Sequence, residues 1–145
     1  MHSRSIIPTL GRLSRFELKV SSVDGTSLHG IGEIDKATPN EKSIIFKERG
    51  FWNVDRGPQV SFRNAYKWIV SENTLSLARY GYEMSNPIHL VDFEIIDGQE
   101  WLNISPYLCG SDTYHAALRW SDETLQLLWI VSGPKKDQTV EYLYS

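Results

Sequence analysis

From residue 15 onward the chain alternates. Phe16, Leu18 and Val20 take turns with Arg15, Glu17 and Lys19, and Tyr114, Ala116, Leu118 and Trp120 share one parity of residues 113–120. A period of two places successive side chains on opposite faces of an extended strand, so each segment has one face to bury and one to wet. Strand-like sequence, rich in β-branched and aromatic residues, returns in LHGIGEIDKA (28–37), SIIFKE (43–48), QVSFRNAYKWIV (59–70), TLSLARYGYE (74–83), IHLVDFEII (88–96), QEWLNIS (99–105), LQLLWIV (125–131) and QTVEYLY (138–144). Turn formers separate these runs: Val23-Asp24-Gly25, Thr38-Pro39-Asn40, Asn73, Asn86-Pro87 and SDET (121–124). Asp97-Gly98 marks the clearest hairpin, because this pair supplies the positive φ angles of a tight turn. No segment carries a convincing amphipathic helix. About nine or ten short strands joined by turns predict an all-β, antiparallel fold, and a closed barrel removes the exposed edges that an open sheet would leave.

Composition narrows the function classes. A chain of 145 residues is the size of one domain, so residues 1–145 are expected to form a single barrel. The net charge is -3, which argues against a general nucleic-acid or anionic-membrane binder. Cys109 is the single cysteine, which excludes an intramolecular disulfide and suits a reducing, cytoplasmic setting. No apolar run approaches the roughly 20 residues of a membrane-spanning helix. The opening MHSRSIIPTLGRLSR has no acid before Glu17 and is mildly like an organelle transit peptide, but it runs straight into strand-like sequence.

The residues that could carry chemistry are few. SGPKKD (132–137) sets two lysines beside a glycine, yet Pro134 precedes the lysines and a strand follows, so it reads as a turn and fails as a phosphate loop. His2, His29, His89 and His115 lack metal-ligand spacing, and Cys109 has no cysteine partner, so no metal site is expected. Nothing like a nucleophile elbow supports a Ser-His-Asp triad. Five Trp, seven Tyr and five Phe are mostly core, although a barrel interior can also enclose a ligand chamber lined by rings. Arg63 is the sharpest single residue: strict alternation turns it away from Phe62, Tyr66 and Trp68, and a bulge near Asn64 would reverse that.

CGSDTY (109–114), WIVSGPKKD (129–137) and EYLYS (141–145) together resemble the C-terminal signature of a family of small bacterial and fungal proteins known only as a domain of unknown function. HGIGEI (29–34) resembles its Gly-x-Ala segment, with Gly32 where Ala is usual, and KERG (47–50) its Glu-x-Gly element through Glu48 and Gly50. FRNAYKW (62–68) and VDFEIIDGQEWLNIS (91–105) resemble two further segments, so the likeness spans about residues 10–145. The chain departs from the pattern at Tyr107 and Leu102, where His is usual, and at Ser145, where Arg is common. The resemblance implies a lipocalin-like or fatty-acid-binding-like barrel, implies no activity or cofactor, and gives Lys136-Asp137 a family position.

The leading expectation is a binding module for a small, partly apolar ligand held in the barrel, with Arg63, Tyr66, Asp112, Tyr114 and Lys136 as its ligand-binding residues. Arg63, Asp112 and Lys136 are expected to converge at one end, with Asp112 as the shared anion and Tyr66 and Tyr114 beside it. An isomerase- or hydrolase-type enzyme using Asp112, Tyr114 and Lys136 is the alternative, and a filled barrel serving as a structural or interaction domain is the third. No nucleic-acid or membrane partner is expected, and the oligomeric state and any cofactor stay open. Trp129 shares the parity of Leu125, Leu127 and Val131 and is therefore expected inside. Trp129→Ala should cost about 3–5 kcal/mol of stability, read from the midpoint of denaturant unfolding.

Overall fold

The computed structural model describes residues 6–53, 59–81, 85–97 and 100–145, with the backbone alone over 95–97. A short helix, α1 (Ile7–Arg12), precedes eleven strands among the described residues. These are β1 (Arg15–Ser22), β2 (Ser27–Asn40), β3 (Ser43–Asn53), β4 (Val60–Val70), β5 (Thr74–Arg79), β6 (Ile88–Asp97), β7 (Glu100–Asn103), β8 (Tyr107–Cys109), β9 (Asp112–Trp120), β10 (Leu125–Gly133) and β11 (Lys136–Tyr144). The sheet runs β10-β11-β1-β2-β3-β4-β5-β6-β7-β9, and β9 pairs back onto β10. Ten antiparallel strands thus close a lipocalin-like barrel. β8 pairs with the first residues of β9, on the edge that β7 pairs with further along, and so extends that wall by three residues.

Alternation assigns the faces as the sequence predicts. Phe16 and Leu18 of β1, Ile34 of β2, Ile44 and Phe46 of β3, Trp68 and Val70 of β4, and Ala116, Leu118 and Trp120 of β9 are all buried. Leu125, Leu127, Trp129 and Val131 of β10 are buried too, and Trp129 is 8% exposed. The expected break at Thr38-Pro39-Asn40 does not end a strand. β2 runs through Pro39 with a register shift between Ala37 and Asn40, where a proline without an N–H is tolerated. The expected 88–105 hairpin forms as antiparallel β6 and β7, while the Gly98-Gln99 turn itself lies outside the described residues. Pro134 and Lys135 make the two-residue turn between β10 and β11, with Gly133 paired to Lys136.

The two ends of the barrel differ. The opening segment, in which no helix was expected, forms α1 across the end where β1 begins and β11 finishes. Ile6, Leu10 and Leu13 there join the core. Thr9 Oγ1 donates to the Ser121 carbonyl at 2.9 Å and Arg12 Nη1 to the Asp122 carbonyl at 2.8 Å, both in the β9–β10 turn. On the opposite rim, Lys36 Nζ donates to the Gly11 carbonyl at 2.6 Å, so the helix is tied to both sides. The helix was hard to read because it is a single six-residue turn-and-a-half whose apolar residues face a neighbour rather than forming a long stripe. At the other end, inward side chains are only partly buried: Val20, Trp52, Phe62, Asn64, Tyr66, Tyr107, Asp112, Tyr114 and Val140.

Glycines make room on the β2–β3 wall. A Cβ at Gly32 would fall on the Arg49 carbonyl oxygen and on the Phe16 ring, and one at Gly50 would meet the Phe62 ring at 2.6 Å. Without side chains there, Phe16 and Phe62 lie against the backbone itself. Gly32→Ala should therefore destabilise the protein by about 1–3 kcal/mol through overpacking, measured as a lowered thermal midpoint.

A buried carboxyl in a cage of tyrosines

Glu48 stands in the middle of β3 on the inward parity shared with Phe46 and Gly50, and it is 1% exposed. A carboxylate taken from water into such a place is costly unless hydrogen bonds replace its hydration. The donors come from across the barrel. Tyr144 Oη donates to Glu48 Oε2 at 2.6 Å and Tyr142 Oη to Oε1 at 3.2 Å. Both tyrosines are on β11 two residues apart, so strand alternation aims them at one target, and their rings stack in parallel with centroids 5.1 Å apart.

The β4 side of the cage adds Asn64, paired with Glu48 in register, whose side chain also hydrogen-bonds the carboxyl. Asn64 Oδ1 in turn accepts from Arg79 Nη2 at 3.1 Å. Arg79 is exposed at the last residue of β5, so a hydrogen-bonded path runs from solvent to the buried acid. Tyr66 packs edge-on against Tyr142 with centroids 6.4 Å apart, and the two hydroxyls are hydrogen-bonded. Burial outweighs the hydroxyl and amide donors and raises the Glu48 pKa to about 7. Burial, and then the negative charges around them, push Tyr142 and Tyr144 well above the ordinary phenol value, so both remain donors at any physiological pH. Burial and the Glu48 charge raise Tyr66 likewise.

The sequence-predicted residues fall into three places. Tyr66 belongs to the cage, but the acid it attends is Glu48, not Asp112. Asp112 and Tyr114 sit together on β9 at the partly exposed end. Asp112 packs over Gly133, where any side chain would strike its carboxyl, and Tyr114 packs edge-on to Tyr107 and Trp129 with centroids at 5.7 and 6.2 Å. Lys136 is exposed at the adjacent turn. Arg63 is the correction. The β3–β4 register is unbroken, so no bulge reverses its parity, and Arg63 lies exposed on the outer face opposite Arg49. Arg63 and Asp112 therefore stand on opposite faces of the sheet. Glu48 was missed as a site residue, although its signal was present: an acid on the inward parity, between Phe46 and Gly50, in the KERG segment of the family likeness.

Among the described residues, the other polar groups form no second centre. Asp92 Oδ1 accepts from Ser76 Oγ at 2.5 Å and contacts His89 Nε2 at 2.8 Å, which puts the carboxylate between serine and histidine and leaves the serine without a base. No group of three His, Cys, Asp or Glu side chains converges as a metal site among the described residues. A groove of about 720 Å³ lies on the outer wall of the barrel, with Glu17, Lys19, Arg119 and Glu141 around Ile31, Leu128 and Leu143, on the opposite side of the sheet from the cage. No described helix is long and apolar enough to cross a membrane.

The profile of one sequence family spans residues 12–145, the whole barrel and its signature segments. The chain belongs to the family of unknown function DUF6314. No curated protein matches it significantly in sequence. Among solved structures, the S-type phycobiliprotein lyase CPES from Guillardia theta is similar over 91% of this chain and 84% of its own, with a TM-score of 0.58 and 9% identity. EF1p2_mFAP2b bound to DFHBI covers 99% of this chain and 97% of its own, with a TM-score of 0.49 and 10% identity. At these identities the likeness of this DUF6314 member to the lyase establishes the fold alone.

The cage makes stability pH-dependent in a stated direction. The unfolded carboxyl titrates near 4.5 and the folded one near 7. Between these values the folded state holds a proton that the unfolded state has lost, so stability falls as pH rises through the interval and levels off above it. The total fall is roughly 3 kcal/mol. Glu48→Gln should remove this slope, read as the urea midpoint followed from about pH 4.5 to pH 8.

Proposed function

We propose that the barrel binds a small, partly apolar ligand, with the Glu48 cage as the polar end of the site. The observation that carries this reading is a titratable carboxyl at the base of a partly exposed, ring-lined interior. Trp52 and Phe62, with ring centroids 4.8 Å apart, stand on β3 and β4 between Glu48 and the end without a helix. Tyr107, Tyr114 and Trp129 line the facing wall. Apolar walls around a few convergent polar groups are what a small-molecule site requires. Asp112 and Lys136 stand at the rim of this interior, where they would meet a ligand as it arrives. The lyase of the same fold adds plausibility to the architecture, and its chemistry is not transferred.

One observation favours a second reading. A carboxyl with a pKa of about 7, hydrogen-bonded to phenols, is matched to acid–base work at neutral pH. An isomerase- or hydrolase-type reaction in the same interior would use Glu48 as that group.

Titration with Nile red, a neutral apolar dye, tests the binding reading. Saturable fluorescence enhancement is expected, with energy transfer from the protein's tryptophans. Trp52→Ala should weaken the dye about tenfold while shifting the melting temperature little, because Trp52 is only half-buried. No saturable binding, together with no retained small molecule in native mass spectrometry of the freshly purified protein, would refute the proposal.

A further inference from the structure

Several basic side chains of the barrel already hold something. Arg49 faces Glu33 and Asp35 on the outer wall, Arg119 faces Glu100, and Arg12 and Lys36 donate to backbone carbonyls at the α1 end. Arg79 differs: no carboxylate stands within ion-pair distance of it among the described residues. It closes β5 opposite Tyr66 of β4 and Ile88 of β6, and this register puts it on the inward parity at the open end. A guanidinium carries five N–H donors. Nη2 donates to Asn64 Oδ1 at 3.1 Å, and the residue is otherwise exposed. Apolar surface stands around it. Phe62, the inward residue next to Asn64 toward the mouth, is half-buried and packs on Trp52. Ile88 is 61% exposed. Beyond Ile88 the wall is parted: β8 does not pair with β6, and almost no Cα atoms of the two strands come within 8 Å. Ile104 and Leu108, both exposed, edge that opening.

We infer that the ligand is a small apolar molecule ending in an oxyanion (carboxylate, sulfonate or phosphate), and that Arg79 binds this group at the mouth. The inference rests on the binding reading above and names its ligand class. A guanidinium fork matches two oxygens of such a group, and a charge-assisted pair of this kind is stronger than a neutral hydrogen bond. The bond to Asn64, which itself hydrogen-bonds Glu48, holds the fork before the ligand arrives. Arg79 and Asn64 are the outer end of the cage, so the anion meets the exposed guanidinium and needs no contact with the buried carboxyl. Asp112, the acid at this end, stands three strands round the ring on β9 with its carboxyl over Gly133. A protonated amine would meet Arg79 as a like charge.

Two dyes with the same rings test the class. Anilinonaphthalene sulfonate carries the anion; phenylnaphthylamine lacks it and is uncharged at neutral pH. At low salt the wild-type protein should bind the sulfonate at least about tenfold tighter than the neutral dye. Raising the salt to about 0.5 M should shrink that preference without any substitution, because an exposed charge is screened. Arg79→Gln, checked for fold by circular dichroism, should bring the sulfonate to the level of the neutral dye and leave the neutral dye unchanged. Arg79→Lys should keep part of the preference, and Arg63→Gln on the outer face should keep all of it. Equal binding of the two dyes by the wild type, or a sulfonate preference that survives Arg79→Gln or is lost in Arg63→Gln, would overturn the inference. Failure of both dyes where Nile red binds would overturn the inference alone, and failure of all three would overturn the binding reading with it.

Discussion

The hydrogen bonds to Glu48 are the interaction on which the interior depends. Apolar packing alone would fill this position with a leucine at less cost, since a buried carboxyl must be given partners or stay protonated. The chain gives it partners from two walls: Tyr142 and Tyr144 of β11 and Asn64 of β4. Other features serve that arrangement. Gly32 and Gly50 let Phe16 and Phe62 lie against the β2–β3 wall, and the β11 alternation stacks two phenols over one acid. The donors soften the desolvation without cancelling it, which is why the carboxyl rests near neutrality instead of at either extreme.

Around this centre the barrel divides into a packed half and a partly exposed half. Toward α1 the interior is filled by Trp68, Phe46, Phe93, Trp101 and Tyr144 with Ile6, Leu10 and Leu13. Three indole N–H groups there, on Trp68, Trp101 and Trp120, have no acceptor among the described residues, a cost that tight ring packing must offset. Toward the other end the rings are half-buried and the charged residues Asp112, Lys136 and Arg79 collect. Side-chain burial thus falls from the α1 end of the barrel toward the other.

Much of the fold was legible because β alternation is a strong signal. Residues 15–20 and 113–120 fixed the faces of β1 and β9, and Leu125, Leu127 and Val131 placed Trp129 inside. Closure followed from the number of strands and the need to avoid edges. The helix was not legible, because six residues around a proline and a glycine bear little periodicity until a barrel end exists to receive them. Pro39 misled for a related reason: a bulge tolerates a residue that the regular ladder rejects. The site was half-legible. Tyr66 was named and stands in the Glu48 cage, Arg63 was named and stands on the outer face, and Glu48 was passed over. A one-dimensional pattern shows that an acid faces inward; it does not show that two phenols 94 and 96 residues away complete it.

Those separations have a consequence for how the molecule opens. Tyr142 and Tyr144 belong to the strand that joins β1 to β10, so a strand held on both edges is the element that shields the acid. A fluctuation that lifted β11 would admit water to Glu48 and return its carboxyl to ordinary acidity. Amide protons along Phe16–Ser22 and Gln138–Tyr144 should then exchange with solvent through an opening that grows easier as the medium turns alkaline. The barrel has, in effect, a zip whose tension is set by one proton.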